Sequence, residues 1–296
     1  MSILLVGGTG IIGCAVAHAL LGRGIELAAL TRSRDNMSGM PFSVSARLGD
    51  LSRPDSLNDT LADFESVFLV TPEGPDEAAM GVGLVKAIKQ AGCKQVVYLS
   101  APAPAWGNEV PMLAAKRTVE DAVRDSGLRW TILRPNHLFQ NDLACRDAIA
   151  GRGIYPLPLG DAGISRVDVR DVAEVAAAAL TGTGHNGKTY RLDGPDPLTG
   201  REVAAAWKRH MGRSVVYAGD DVSAWAAQGA GDLPAEVASA QAEYYRQLQR
   251  HGLHADPADL KIMQEIVGRS ARSFEGFAAQ VSHTWQQVAR EVAAGA

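Results

Sequence analysis

The stretch Ser2-Ile3-Leu4-Leu5-Val6-Gly7-Gly8-Thr9-Gly10-Ile11-Ile12-Gly13 decides the fold. An apolar run of strand length leads into a glycine cluster, and a helical pattern, Ile12–Arg23, follows. The glycines fit G-x-G-x-x-G through Gly8, Gly10 and Gly13, and G-x-x-G-x-x-G through Gly7, Gly10 and Gly13. Such a turn needs glycine where φ is positive and where a pyrophosphate must approach bare backbone. A last glycine lets helix and strand pack closely, and the helix N-terminus turns free N–H groups and a positive dipole end toward the phosphates. With the strand before and the helix after, the motif stands in the context it requires. A dinucleotide site engaging Gly7, Thr9, Gly10, Ile11, Ile12 and Gly13 is the expectation.

Outward from this turn, short apolar runs alternate with helical patterns. Strands are expected at Ile3–Val6, Glu26–Thr31, Ser66–Val70, Val96–Ser100 and Trp130–Leu133, with helices at Glu77–Ala91 and Leu113–Ser126. That alternation implies parallel strands joined by crossover helices. The expected fold class is α/β: a Rossmann-type doubly wound parallel sheet with a smaller, mainly helical C-terminal cap. A Gly/Pro-rich passage, Gly151–Asp161, interrupts the pattern and reads as a loop. Residues 1–155 are therefore expected to form the nucleotide-binding core and 156–296 a smaller substrate or cap region, with some segments returning to the core. In that second part Asp168–Leu180 reads as an Ala-rich helix introduced by Asp171, and Thr189–Leu192 as one more strand. Thr199 and Glu202 have capping-box spacing for a helix through His210. From Asp221 the pattern is mainly helical, including Pro234–His251 and Phe274–Val292.

The second strand ends Thr31-Arg32-Ser33-Arg34. A site for NAD(H) usually places an acid here to accept from the ribose hydroxyls. Two guanidinium groups and a serine instead suit a 2′-phosphate dianion, so Arg32, Ser33 and Arg34 point to NADP(H).

Composition sets the outer limits. The chain has 296 residues, 46% hydrophobic and 21% charged, with a formal net charge of -4. That balance lacks the concentrated basic surface that nucleic-acid phosphates need, and no nucleic-acid partner is expected. The N-terminus has no basic segment ahead of its apolar run, and no stretch approaches the roughly 18 apolar residues of a membrane span. A cytoplasmic protein is expected, with Cys14, Cys93 and Cys145 as packed thiols. His251 and His254 with Asp256 offer too few ligands for a metal site, and no metal is expected. There is no G-x-S-x-G elbow for a hydrolase nucleophile.

With these residues in hand, the chain resembles the NmrA-like branch of the atypical short-chain dehydrogenases/reductases. Ordered matches carry the resemblance: the glycine turn, Thr31-Arg32, Gly49-Asp50-Leu51, Phe68-Leu69-Val70-Thr71-Pro72 and Tyr98-Leu99-Ser100. They continue through Lys116 with Glu120, Ser126–Pro135, Val167–Ala173 and Tyr190–Pro195. The resemblance implies that Asp50 and Leu51 meet the adenine and that Val70, Thr71 and Pro72 line the dinucleotide cleft. Ser100 joins the cofactor set, Lys116 reaches the nicotinamide ribose, and Pro135, Asn136 and His137 flank the nicotinamide end.

One departure shapes the functional reading. The wider superfamily pairs a tyrosine with the lysine four residues later, on one helix face. Counting back from Lys116 gives Met112, which cannot protonate a forming alkoxide. Two readings follow. The first is an NADPH-dependent reductase of a small conjugated acceptor (quinone, enone or dye-like), with Lys116 and His137 as catalytic residues and His137 as replacement acid. The second is a non-catalytic NADP(H)-binding redox sensor acting through a protein partner. Cofactor-assisted non-redox chemistry is a third alternative, and the oligomeric state is left open.

Overall fold

A computed structural model of the chain describes every residue except 230–233 and 296. In chain order the first elements are β1 (Ser2–Val6), α1 (Ile11–Leu20), β2 (Glu26–Thr31), β3 (Ser45–Leu48), α2 (Asn58–Ala62) and β4 (Ser66–Val70). Next come α3 (Glu77–Gln90), β5 (Gln95–Leu99), α4 (Pro111–Asp125), β6 (Arg129–Pro135), β7 (Ile154–Tyr155), α5 (Val169–Thr181) and β8 (Lys188–Leu192). The remainder are α6 (Gly200–Met211), β9 (Val216–Tyr217), α7 (Val222–Gly229), α8 (Ala235–His251), α9 (Pro257–Val267) and α10 (Phe274–Gly295). Part of the stretch read as helical, residues 230–233, lies outside the described residues.

The chain divides into two compact units. The first holds Met1–Pro135, Val169–Leu192 and Met263–Arg269; the second holds Asn136–Asp168, Asp193–Ile262 and Ser270–Ala296. The division thus falls at Pro135, ahead of the expected boundary at 155, because β6 is the last strand before the chain leaves the sheet. It returns at α5 and β8.

The first unit is built on a sheet of seven strands in the order β3-β2-β1-β4-β5-β6-β8. Every neighbouring pair is parallel. β1, β4 and β5 are almost wholly buried, as strands covered on both faces must be, which is why they read as continuous apolar runs. Strand β3 was not expected: Ser45-Ala46-Arg47-Leu48 alternates polar and apolar residues but is only four residues long with no β-branched residue, and it pairs with β2 alone at the edge of the sheet. Helix α1 ends at Leu20, short of the expected Arg23, and Gly22 follows with φ +73°. Helix α4 starts on Pro111 and buries Leu113, Lys116, Val119, Glu120 and Val123, a stripe at helical spacing that includes two charged groups.

The second unit is mainly helical, and its core is aromatic. Trp207 of α6 is fully buried and stacks on Trp285 of α10, centroids 5.1 Å apart and planes 6° from parallel. Phe274 and Phe277 meet Trp207 edge-on. The capping box is present: Thr199 Oγ1 accepts from the Glu202 N–H, and Glu202 accepts from the Thr199 N–H. The passage read as a loop contains β7, paired in parallel with β9 through Ile154↔Val216 and Tyr155↔Tyr217. Two residues opposite two residues is too short a pattern for sequence periodicity to reveal. All three cysteines are free thiols; burial pushes Cys93 up to about 11 and Cys145 up to about 12.

Candidate functional site

The glycine turn separates two kinds of glycine. Gly7 adopts φ +76°, and a Cβ there would sit 2.8 Å from Val70 Cβ. A Cβ on Gly8 would meet Ala29 and Leu5 at 2.9 Å, and one on Gly13 would meet Gly8 at 2.4 Å. These three are glycine because the chain packs on itself. Gly10 is different: its backbone is extended at φ -81°, and a Cβ would find nothing nearer than Gly7 O at 3.6 Å. The fold therefore tolerates a side chain at Gly10; what a side chain would obstruct is the approach of something else. Gly10 is also the N-cap of α1, with no side-chain cap, so the first N–H groups of that helix face outward unclaimed. Ile11 beside them is 55% exposed. Bare backbone, free donors and an open approach fit the phosphates of a dinucleotide.

The other expected cofactor residues follow the carboxyl ends of adjacent parallel strands, where open α/β sheets bind ligands. Gly7 follows β1, Arg32 follows β2, Thr71 follows β4, Ser100 follows β5, and Pro135 closes β6. Arg32 and Arg34 are exposed and form no ion pair among the described residues, leaving both guanidinium groups available to a phosphate. Ser33 caps the turn Arg34–Met37 by accepting from the Asp35 N–H, so the loop bearing the arginines is held in place. Asp50 accepts from Ser52 N–H at 3.0 Å and Ser52 Oγ at 2.8 Å through Oδ1. Those bonds, with Arg53 and Arg32 nearby, hold its carboxyl below the usual value. Leu51 packs against the core, Val70 ends β4, and Pro72 is exposed.

Lys116 lies in a cluster that sequence reasoning did not foresee. Its Nζ is 2.5 Å from Glu77 Oε1 and donates to Thr71 Oγ1 at 3.1 Å and Thr71 O at 3.3 Å. Thr71 Oγ1 donates to Glu77 Oε1 at 2.6 Å and lies 3.4 Å from Tyr98 OH. Lys116 is 7% exposed and Glu77 1%. Burial pushes the Glu77 carboxyl upward against the pull of Lys116, and its Oε2 has no hydrogen-bond partner. Glu77 was legible only as the start of α3. Its tie to Lys116 crosses from α3 to α4, which no local pattern records. Further along α4, Glu120 receives Arg134 through two hydrogen bonds of 2.8 and 2.6 Å. Burial works to raise its pKa, but Arg134, Ser100 and Arg124 hold it below the usual value.

Asn136 and His137 belong to the second unit. Asn136 Nδ2 donates to Asp193 Oδ1 at 2.7 Å and Leu253 O at 3.0 Å, while its Oδ1 accepts from the His137 N–H at 2.7 Å. Its side chain ties three segments together. His137 is 6% exposed, with Nε2 3.3 Å from Tyr245 OH and Nδ1 accepting from Arg166 Nε at 3.1 Å. Burial, and then the Arg166 charge, hold the imidazole well below its ordinary pKa. This setting favours the neutral ring, whose N–H can donate a hydrogen bond.

Arg166 stands in no local pattern that would single it out. Its guanidinium and Asp142 are wholly buried, 2.6 Å apart, and Asp142 also accepts from Tyr155 OH and Trp207 Nε1. Arg166 NH2 donates to Leu138 O at 2.8 Å, and the guanidinium lies over the Phe274 ring at 5.1 Å. Trp207 is core, Trp225 packs edge-on against Tyr245 at 4.8 Å, and Tyr217 OH accepts from the Gly160 N–H at 3.2 Å. No helix among the described residues is long and apolar enough to cross a membrane.

A parallel sheet with the order 3-2-1-4-5-6 at its heart, opened by this glycine turn, defines an NAD(P)-binding Rossmann-type protein. The chain belongs to the NmrA-like family, which matches residues 1–278. An NAD(P)H azoreductase from Xenophilus azovorans is 34% identical over 279 residues, 93% of this chain and 96% of that protein. A (4-alkanoyl-5-oxo-2,5-dihydrofuran-3-yl)methyl phosphate reductase from Streptomyces griseus is 33% identical over 281 residues, covering 94% and 97%. Among solved structures, the NADPH-dependent quinone oxidoreductase of Escherichia coli complexed with NADPH superposes with a TM-score of 0.80. It is 24% identical, with 94% of this chain and 99% of that chain covered, and confirms the fold.

Proposed function

We propose that this protein is an NADPH-dependent reductase of small conjugated acceptors, quinone-, enone- or dye-like, working without a tyrosine acid at position 112. The observation that carries the reading is Gly10: a position the fold leaves open, at the mouth of a helix with free N–H donors. The relatives named as an azoreductase and a butenolide-type reductase act on conjugated acceptors by their names, which supports the same class here.

In this reading the turn Gly7, Thr9, Gly10, Ile11, Ile12 and Gly13 holds the pyrophosphate, and Arg32, Ser33 and Arg34 hold the 2′-phosphate. Asp50 and Leu51 border the adenine. Val70, Thr71, Pro72, Ser100, Pro135 and Asn136 border the rest of the cofactor. When bound, the dihydronicotinamide supplies a hydride. Lys116 places a fixed positive charge after β4, and Glu77 and Thr71 keep its ammonium from swinging into solvent. His137 contributes as a neutral donor. Soluble acceptors whose reduced form is a stabilised anion need less help from an acid than a simple ketone does, which suits a chain with Met112 at the tyrosine's position.

One observation favours a second reading, a non-catalytic NADP(H) sensor. Met112 removes the usual acid, and Lys116 is already engaged by Glu77. NADPH oxidation followed at 340 nm with menadione, benzoquinone, an enone and a triphenylmethane dye separates the two. Turnover with any acceptor, reduced about 100-fold in Lys116→Ala, supports the reductase. NADPH binding with no oxidation across the panel defeats it in favour of the sensor.

A further inference from the structure

The ammonium of Lys116 has three N–H groups and no lone pair to offer. All three already have acceptors: Glu77 Oε1 at 2.5 Å, Thr71 Oγ1 at 3.1 Å and Thr71 O at 3.3 Å. Lys116 can therefore serve a ligand only by letting one of these partners go. Its surroundings lead straight to the glycine turn. Thr71 follows Val70, and Val70 is where that turn closes on β4: a Cβ on Gly7 would fall 2.8 Å from Val70 Cβ and 3.0 Å from Val70 O. All of these residues belong to the first unit.

Packing holds the cluster together. A Cβ on Gly81, one turn after Glu77 in α3, would lie 2.3 Å from Val119 Cγ2 of α4 and 3.1 Å from Thr71 Cγ2. Glycine lets the two helices approach this closely, which brings a carboxyl on one to an ammonium on the other. Of the three acceptors, the two on Thr71 can only lose an N–H. The third is a carboxyl, which can replace a lost N–H by taking up a proton. Glu77 is set for that exchange. Its Oε1 also accepts from the Thr71 hydroxyl at 2.6 Å, while its buried Oε2 has no hydrogen-bond partner. Without Lys116, a carboxylate here would be a buried charge, and protonation relieves that cost. Burial already pushes the Glu77 carboxyl upward against Lys116 and Thr71, and the charge of Glu73 adds to the rise. Tyr98 of β5, 3.4 Å from Thr71 Oγ1, is held as a neutral phenol by its burial.

We propose that Glu77 is a proton-operated latch on Lys116: the ammonium leaves Glu77 for a ribose hydroxyl of the cofactor, and Glu77 takes a proton from solvent in exchange. The proposal rests on the reading that Lys116 reaches the nicotinamide ribose. Lys116 stays charged throughout. One of its N–H groups changes acceptor, from Glu77 Oε1 to the hydroxyl oxygen, and one proton passes from water to the Glu77 carboxylate. Glu77 is thus a positioning residue that acts through Lys116.

Calorimetric titration of NADPH into the intact protein at pH 7, repeated in buffers of different ionisation heat, counts the protons taken up. Changes at the 2′-phosphate are common to wild type and variants and cancel in the difference. Wild type is expected to take up about half a proton more per NADPH than Glu77→Gln. With no carboxylate to compete for the ammonium, Glu77→Gln should bind NADPH about tenfold more tightly than wild type at pH 8. The gap should narrow as pH falls to 6 and wild-type Glu77 is protonated before the cofactor arrives. Weaker binding in Glu77→Gln overturns the latch, since the carboxylate would then be helping the cofactor rather than competing with it. Lys116→Met, in which Glu77 has no ammonium to lose, should show the same lower proton count, which keeps the test decisive if Glu77→Gln fails to fold. An unchanged NADPH Kd in Lys116→Met means that Lys116 does not reach the cofactor, and that reading falls with the latch. A weakened Kd in Lys116→Met with equal proton counts in all three proteins overturns the latch alone.

Discussion

The two units keep buried charge in opposite ways. In the first, Lys116 and Glu77 form a pair beside the strand ends, supported by Thr71, with one carboxylate oxygen left without a partner. In the second, Arg166 and Asp142 are sealed at 0% exposure and hydrogen-bonded to His137, Tyr155, Trp207 and two main-chain carbonyls. A buried charge is costly to desolvate, and only complete hydrogen bonding offsets that cost. The difference teaches where each pair acts. The saturated network is a fixture that orients its neighbours, while the incompletely satisfied one retains capacity for a ligand.

The sharpest break of this contrast is Arg166→Met. It strands Asp142 in an apolar core and should cost about 3–5 kcal/mol, seen as a Tm lower by about 10 °C. A Tm within about 2 °C would mean that the second unit does not depend on its charge network. Next in size is the pH dependence of stability. His137 is neutral in the folded protein and titrates near 6.5 once unfolded, so below that pH the unfolded chain binds the extra proton. Stability is therefore full above pH 6.5 and lost as pH falls toward 5, by up to about 1.4 kcal/mol per pH unit. Thermal melts of wild type and His137→Gln read the effect, and an identical pH slope in the two would remove His137 as its source. The smallest change belongs to the first unit. Gly10→Ala should leave Tm within about 2 °C, since its φ suits alanine and the added methyl meets only Gly7 O, at an ordinary 3.6 Å. NADPH binding should nonetheless weaken about tenfold, or about 1.4 kcal/mol, in a fluorescence titration. Lost stability with unchanged binding would make Gly10 a structural glycine like Gly8.

The same contrast explains what the sequence disclosed. In the first unit the expected site residues follow strand ends, and both the strands and the residues after them are local patterns. That is why six of the seven strands were placed to within two residues, and why Gly7, Arg32, Thr71 and Ser100 could be set after strand ends from spacing or resemblance. Strand β3 escaped because its polar-apolar alternation runs for only four residues, with Ala46 and Arg47 at the centre and no β-branched residue to favour a strand. Glu77 escaped for another reason: its partner lies on the next helix. In the second unit nearly everything that matters is of this distant kind. Asn136 reaches Asp193 and Leu253, Asp142 reaches Trp207, and His137 reaches Arg166 and Tyr245. His137 was picked out for its chemistry, but its protonation state is set by an arginine 29 residues further on. No motif encodes that distance.

The first unit is assembled from three separate pieces of chain, and this has a consequence for synthesis. A polypeptide leaving the ribosome N-terminus first can pair β1 through β6 as soon as Pro135 is clear. The outer edge of β6 then stays open while Asn136–Asp168 is made, until β8 arrives to cover it. Helix α5, which packs on α1, arrives in the same interval, and the Arg269 clasp on Asp171 and Glu174 comes later still. A nascent chain stalled before Leu192 would thus expose an unpaired parallel edge, the kind of surface that chaperones shield and that other strands join.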